Sequence, residues 1–275
     1  MSNTLKLTDF LTGVGIFKKT VVFRSPITLP PGVPGGPQVK IRVSHVKITD
    51  RIPNVFDSRP YGGTFNNTQL RIGNNINGWV VVTLQPGLYL TAEVIGSAVN
   101  AAAASLGWWT VPGDPGFTFS TNSVIDKIVI RIDSTKLSIL HGTQLWLDLS
   151  EATTGTKIWH TLGFASTTSI TVDGTYSSSV TPMLDTQGTS CIVCCTVMPT
   201  RLVNEKYLQY VADVDFAGKL TPSDNVWPPG NVSNDNIIYS GPRTISQATF
   251  YVVTEEGTPM VFMNGRLSIE LLFYW

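Results

Sequence analysis

Read backwards from its end, the chain alternates. Leu267, Ile269, Leu271 and Phe273 take every second position, and Ser268, Glu270 and Tyr274 stand with them on the opposite phase. A period of two puts the four apolar side chains on one face of a pleated strand, so the segment reads as a strand sealing a hydrophobic interior. The same pattern recurs upstream. Strands are expected from Val39 to Thr49, Trp79 to Leu84, Phe117 to Phe119, Ile128 to Ile132, Leu145 to Leu149 and Gln247 to Thr254, with a turn at Glu256-Gly257 before the last strand. In the first of these, Val39, Ile41 and Val43 share one phase while Val46 and Ile48 have the other. A switch near Ser44-His45 predicts a β-bulge, one extra residue that resets the alternation.

One helix interrupts the strands. Thr91 is placed to cap it, Glu93 to complement the positive end of its dipole and Gly107 to stop it. Val94, Ile95, Ala98, Val99 and Ala102 form an apolar stripe at helical spacing, expected to lie on a sheet. A shorter helical turn from Lys157 to Leu162 ends at Gly163. The Pro/Gly cluster from Pro30 to Pro37 separates an N-terminal arm, residues 1–29, from the rest. Asp173 to Asp185 and Leu220 to Ser240 read as long surface loops. The expected architecture is all-β: a jelly-roll β-sandwich over residues 30–275, with one or two short helices and a loop-rich, β-rich insertion around 165–243.

Charge is scarce. Charged residues make up 14% of the chain, against roughly 25% in an average globular protein, so Ser, Thr, Asn, Gln and Gly must cover much of the surface. Nineteen basic and nineteen acidic residues cancel, and no basic run exceeds Lys18-Lys19. That composition offers no field for a polyanion, so direct nucleic-acid contact is not expected. Cys191, Cys194 and Cys195 are an odd, clustered set, the mark of a reducing compartment and not of a disulfide framework. No signal pattern opens the sequence, and no apolar stretch approaches the ~20 residues that span a bilayer. The sequons at Asn66 and Asn231 therefore lack a secretory context.

Constellations for chemistry are thin. His45, His141 and His160 are the histidines available for acid–base work; His45, on a strand, and His160, beside Trp159, read as packed or hydrogen-bonded side chains. A Gly-x-Ser-x-Gly elbow is missing, and Gly13-Val14-Gly15 before Lys18-Lys19-Thr20 lacks the glycine that precedes the lysine in a phosphate loop. Cys191 and Cys194 have zinc-knuckle spacing, but on an apolar strand they face opposite sides and no second pair follows. Asp213 and Asp215 could share a strand face, while Glu255 and Glu256 sit in a turn. Among the tryptophans, Trp79 and Trp146 are expected in the core. Trp227, in the Pro/Asn loop, is the candidate surface-binding residue, able to stack a sugar or anchor a protein interface. No catalytic, cofactor-binding or metal residue is assigned, and the chain is expected not to be an enzyme.

Several segments, in order, resemble the penton, or vertex, proteins of eukaryotic DNA viruses and transposons with jelly-roll capsids, such as virophages and Polinton-type elements. They are Ile52-Pro53-Asn54-Val55, Leu84 to Thr91 with its Gly87-Leu88-Tyr89, Phe117-Thr118-Phe119, the Ile128 to Ile132 strand, Leu162-Gly163-Phe164, and the closing hairpin from Thr258 to Phe273. The resemblance spans residues 20–165 and 243–275. It implies a non-enzymatic virion protein: a homopentamer at icosahedral vertices, in contact with double-jelly-roll major capsid subunits and with a host receptor or spike as a further partner. It also implies structural roles for Pro53, Asn54, Gly87, Tyr89, Leu162, Gly163 and Phe164, with Gly87 permitting a tight turn. On that reading the arm, with Leu5, Leu7, Phe10 and Leu11 but no evident sheet partner, reaches a neighbouring capsid protein. The alternative is a receptor- or glycan-binding spike or minor capsid protein acting through the Trp227 loop.

Overall fold

The computed structural model describes residues 2–31, 38–51, 53–122, 124, 126–182, 190–203, 205–215, 225–227, 237–239 and 243–275. The chain opens with three strands, β1 (Ser2–Ile16), β2 (Lys18–Thr28) and β3 (Lys40–Arg51). A second unit follows, with β4 (Gln69–Asn74), β5 (Gly78–Thr83), α1 (Ala92–Ser105), β6 (Phe117–Asn122), β7 (Lys127–Ile132) and β8 (Leu145–Asp148). It continues through α2 (Glu151–Thr154), α3 (Ile158–Leu162), β9 (Ser169–Ile170) and β10 (Gly174–Ser177). The chain then rejoins the first unit through β11 (Ser190–Cys195), β12 (Arg201–Val203), β13 (Lys206–Leu208), β14 (Tyr210–Asp215), β15 (Asn225–Trp227), β16 (Ile237–Ile238), β17 (Thr244–Val253) and β18 (Val261–Tyr274). The first unit is thus Met1–Ile52, Tyr61–Gly63 and Gln187–Trp275, and the second is Pro53–Pro60 and Thr64–Thr186.

In the first unit, one sheet has the order β1-β18-β3-β15, with β16 also on β3, and the other has the order β14-β11-β17-β2. Number the eight sandwich strands along the chain, leaving out β16 and the small β12–β13 hairpin. First then pairs with eighth, second with seventh, third with sixth and fourth with fifth, all antiparallel. Four such pairs are one long hairpin, rolled so that alternate pairs fall in opposite sheets. That is a jelly roll, as the sequence pattern predicts. Its interior is filled from both sides. Leu5 and Leu7 (β1), Ile41, Val43, Val46 and Ile48 (β3) and Leu267, Ile269, Leu271 and Phe273 (β18) share one core with Cys191, Val193 and Cys195 (β11), Val214 (β14) and Phe250 and Val252 (β17). The expected bulge is present: His45 pairs with Glu270 and Val43 with Leu271, leaving Ser44 as the extra residue, so that Val43 and Val46 are both buried.

Two boundaries differ from the sequence reading. Residues 1–29 are not an arm: β1 pairs with β18 from Ser2 to Ile16, and β2 pairs with β17. Leu5 and Leu7 are buried in the sandwich, and only Phe10 of the supposed contact residues is strongly exposed. The compact inserted unit is Pro53–Pro60 with Thr64–Thr186, between β3 and β11, and not 165–243, because β11, β14, β15 and β16, all within 165–243, belong to the jelly-roll sheets. The expected 220–240 loop likewise contains β15 and β16, both paired with β3; its other residues lie outside the described set.

The second unit has the sheets β5-β4-β8-β9 and β10-β7-β6, with α1 packed on β6. Leu70, Ile72, Leu145 and Leu147 share its core with Phe117, Phe119, Ile128, Ile130 and Ile132, closed by Ile95 and Val99 of α1. The buried helix stripe is Ala92, Ile95, Gly96, Val99 and Ala103, rotated from the expected one, and Val94 faces solvent. Gly96 sets that rotation. A Cβ there would lie 2.8 Å from Cβ of Phe119, so the helix can approach β6 this closely only through a glycine.

Candidate functional site

Four of the motif residues meet in one place in the second unit. The side chain of Asn54, buried, takes the place of a strand neighbour for Tyr89: its Nδ2 donates to the Tyr89 carbonyl at 2.7 Å and its Oδ1 accepts from the Tyr89 N–H at 2.8 Å. The backbone N–H groups of Asn54 and Val55 donate to the Gly87 carbonyl at 3.1 Å, and the Gly87 N–H donates to Val55 at 2.9 Å. Pro53 is buried beside this node. Asn67, which the sequence reading did not single out, extends it: Nδ2 donates to the Asn54 carbonyl and to Thr161 Oγ1 on α3, both at 2.6 Å, and Oδ1 accepts from the Phe56 N–H at 2.7 Å. Two buried asparagines thereby satisfy backbone groups that no sheet ladder reaches. Gly87 acts through its backbone bonds, not through a left-handed turn; a Cβ there would meet only ordinary contact with the Tyr89 ring at 3.6 Å.

The second motif group holds the end of α3. Leu162 is fully buried and Gly163 terminates the helix at φ 73°, in the left-handed region. A Cβ on Gly163 would lie 2.4 Å from the Val180 carbonyl, and the Val180 N–H donates back to the Gly163 carbonyl at 3.0 Å. Phe164, nearly buried, lines a shallow cavity of about 390 Å³ with Thr168, Tyr176 and Ser177. Trp227 lies in β15, its backbone opposite Val46, and its side chain is outside the described set.

Other side chains find structural uses. Cys191 and Cys195 face the sandwich core and Cys194 the opposite side of β11, as alternation requires. Burial pushes the Cys194 and Cys195 thiols up to about 11 and raises Cys191 well above the ordinary thiol value, so they remain protonated. His141 Nδ1 hydrogen-bonds Asn77 Oδ1 at 2.9 Å, and His160 packs edge-on to Trp159. Among the described residues, no three His, Cys, Asp or Glu side chains are grouped to hold a metal ion, and no helix is long and apolar enough to cross a membrane. Asp213 faces outward on β14, and the Asp215 side chain is outside the described set.

Trp79 and Trp146, expected in the core, lie half-buried on the outer face of their sheet. They sit on either side of Gly73 with ring centroids 5.4 Å apart, and a Cβ on Gly73 would come within 3.0 Å of both rings. The Arg71 guanidinium lies over Trp79 at 5.0 Å and pairs with the buried carboxylate of Asp148. Burial would raise the Asp148 pKa, but donation from Ser150, Thr153 and Arg71 outweighs it and holds the carboxyl below its ordinary value.

What these residues build is scaffold: nodes that fix loops, helix ends and strand edges. The chain is similar to a virophage penton protein. The mavirus penton protein aligns over 98% of this chain and 99% of its own, at 12% identity and a TM-score of 0.46. The Sputnik virophage structure aligns over 98% and 97%, at 14% identity and a TM-score of 0.34. No protein-family model and no curated protein matches the sequence.

Proposed function

We propose that this chain is a virion structural protein, the penton at the vertices of an icosahedral DNA-virus capsid, acting without catalysis through contacts with copies of itself and with the major capsid protein. The observation that carries the reading is the jelly roll whose two inner faces are filled with hydrocarbon. Jelly rolls serve as capsid, lectin and cupin domains. A cupin-like enzyme keeps polar ligands between its sheets; here Phe17, Phe250, Phe262 and Phe273 occupy that space. Function therefore falls to the outer surface. With charge at 14%, that surface costs little to desolvate, which suits broad subunit contacts. The ordered motifs from Pro53 to Phe164 support the penton reading within the capsid class, and a penton acts in the virion.

The test is native mass spectrometry of the purified chain, alone and with its capsid partners. The mass expected is that of five copies of the 29.9 kDa chain. Stable trimers would favour a receptor- or glycan-binding spike. A chain that stays monomeric and fails to enter particles would overturn the assembly reading.

A further inference from the structure

We propose that the cavity between the segment that follows α3 and the edge strand β10 is a binding site for a neutral carbohydrate. It lies wholly within the second unit, and the inference goes beyond the assembly reading without depending on it. Its volume, about 390 Å³, falls within the roughly 300–1,000 Å³ of small-ligand sites. The walls are of two kinds. Phe164 and Ile170, 6% and 5% exposed, and the half-buried ring of Tyr176 supply apolar surface. Thr168, Thr175 and Ser177 supply hydroxyls, and among the described residues none of these three hydroxyls has a hydrogen-bond partner. No lining residue is charged. A pyranose has the same division: C–H groups on a face that rests on apolar or aromatic surface, and hydroxyls around its rim that donate and accept. A sialylated, sulfated or phosphorylated ligand would find no cation among the lining residues to compensate its charge.

Both walls are held before any ligand arrives. The Ser178 N–H donates to the Ile128 carbonyl at 2.8 Å, so by antiparallel alternation Thr175 and Ser177 turn their main-chain N–H and C=O groups away from β7. Just beyond β10, Lys127 Nζ donates to the carbonyls of Ser178 and Ser179, both at 2.8 Å. The Val180 N–H and Ser179 Oγ both donate to the Gly163 carbonyl, at 3.0 and 3.3 Å, so the glycine that ends α3 ties one wall to the other. The Tyr176 hydroxyl is anchored by donating to the Val172 carbonyl at 2.8 Å. A site fixed in this way loses little binding free energy to ordering. An extended peptide is the other ligand that a strand edge attracts. Here the free edge ends at Ser177, because Ser178 is taken by Ile128 and Val180 by Gly163. Two outward-facing residues are too few for an added strand.

The test screens the full chain on an array of neutral, sialylated and sulfated glycans and titrates the tightest neutral one by calorimetry. At least one neutral glycan should bind, and its sialylated form should bind more weakly. Thr175→Val with Ser177→Ala removes two hydroxyls from exposed strand positions and should weaken binding by on the order of 10- to 100-fold, the scale of two lost hydrogen bonds. Ala165→Trp, at an exposed position on the wall, should fill the cavity and abolish binding. Thermal unfolding of both variants should match the wild type. In the wild type itself, the same titration followed by NMR should move the amide signals of Thr168, Thr175 and Ser177. No neutral glycan bound at millimolar concentration, binding confined to charged glycans or to unglycosylated peptides, signals that move only elsewhere, or binding left intact in both well-folded variants would overturn the site. Oligomer mass bears on the assembly reading alone, so the two can fail separately.

Discussion

Asp148 shows how much one side chain can hold. Its carboxylate is 1% exposed and accepts from the Ser150 N–H at 2.9 Å, from Ser150 Oγ at 2.6 Å and from Arg71 Nε at 3.1 Å. Asp148→Asn removes the charge that balances Arg71 and should cost about 3 kcal/mol at neutral pH, the low end for breaking a buried pair, because Arg71 still reaches water. The pH dependence has a definite sign. A depressed folded-state pKa gives stability that is present above the unfolded value of about 3.9 and lost as pH falls through the lower, folded value. The stability gap between wild type and Asp148→Asn should therefore be flat above about pH 5 and shrink below pH 4. A gap independent of pH in urea titrations would show that the amide's shape, not the charge, matters. The sequence gives no sign of this pair, since Arg71 and Asp148 lie 77 residues apart and no local periodicity reports a cross-strand partner. Gly163 is the contrary case: a glycine closing a short helical pattern announces its left-handed backbone from sequence alone.

At the scale of elements, legibility follows the range of the contact. The bulge at Ser44 was readable because alternation is local and any phase slip must be absorbed where it occurs. The N-terminal strands were not, because the partner of β1 is β18, at the other end of the chain, where Leu5 meets Leu271 and Leu7 meets Ile269. A strand and an extended arm look alike until that partner is known. The two descriptions predict different mutants. Leu7 is 1% exposed, so Leu7→Ala should cost about 2–5 kcal/mol. Phe10 is 67% exposed, with its ring 5.3 Å from the Arg266 guanidinium, so Phe10→Ala should cost under about 1 kcal/mol. Equal and negligible effects on the denaturation midpoint would return β1 to the status of an arm.

Over the whole molecule, the insertion hid inside the strand pattern because both units are built from the same alternating grammar, and only the partner of each strand assigns it to one core or the other. The two cores share no residue: one gathers Leu5 to Phe273 around the jelly roll, and the other gathers Val55 to Ile170 around α1 and its two sheets. A unit of this size with its own core has the means to fold alone, with a stability of about 5–15 kcal/mol. The chain carries its own reporter for that independence. Trp79, Trp108, Trp109, Trp146 and Trp159 all belong to the second unit, and Trp227 and Trp275 to the first. In a denaturant titration, tryptophan fluorescence should therefore follow mainly the second unit, while far-UV circular dichroism follows the strands of both. The expected result is two midpoints that do not coincide, and an excised fragment of residues 53–186 whose fluorescence transition matches that of the full chain. Coincident curves by both probes, together with a fragment that unfolds without cooperativity, would mean that the insertion depends on the jelly roll for its structure and that the two cores melt as one.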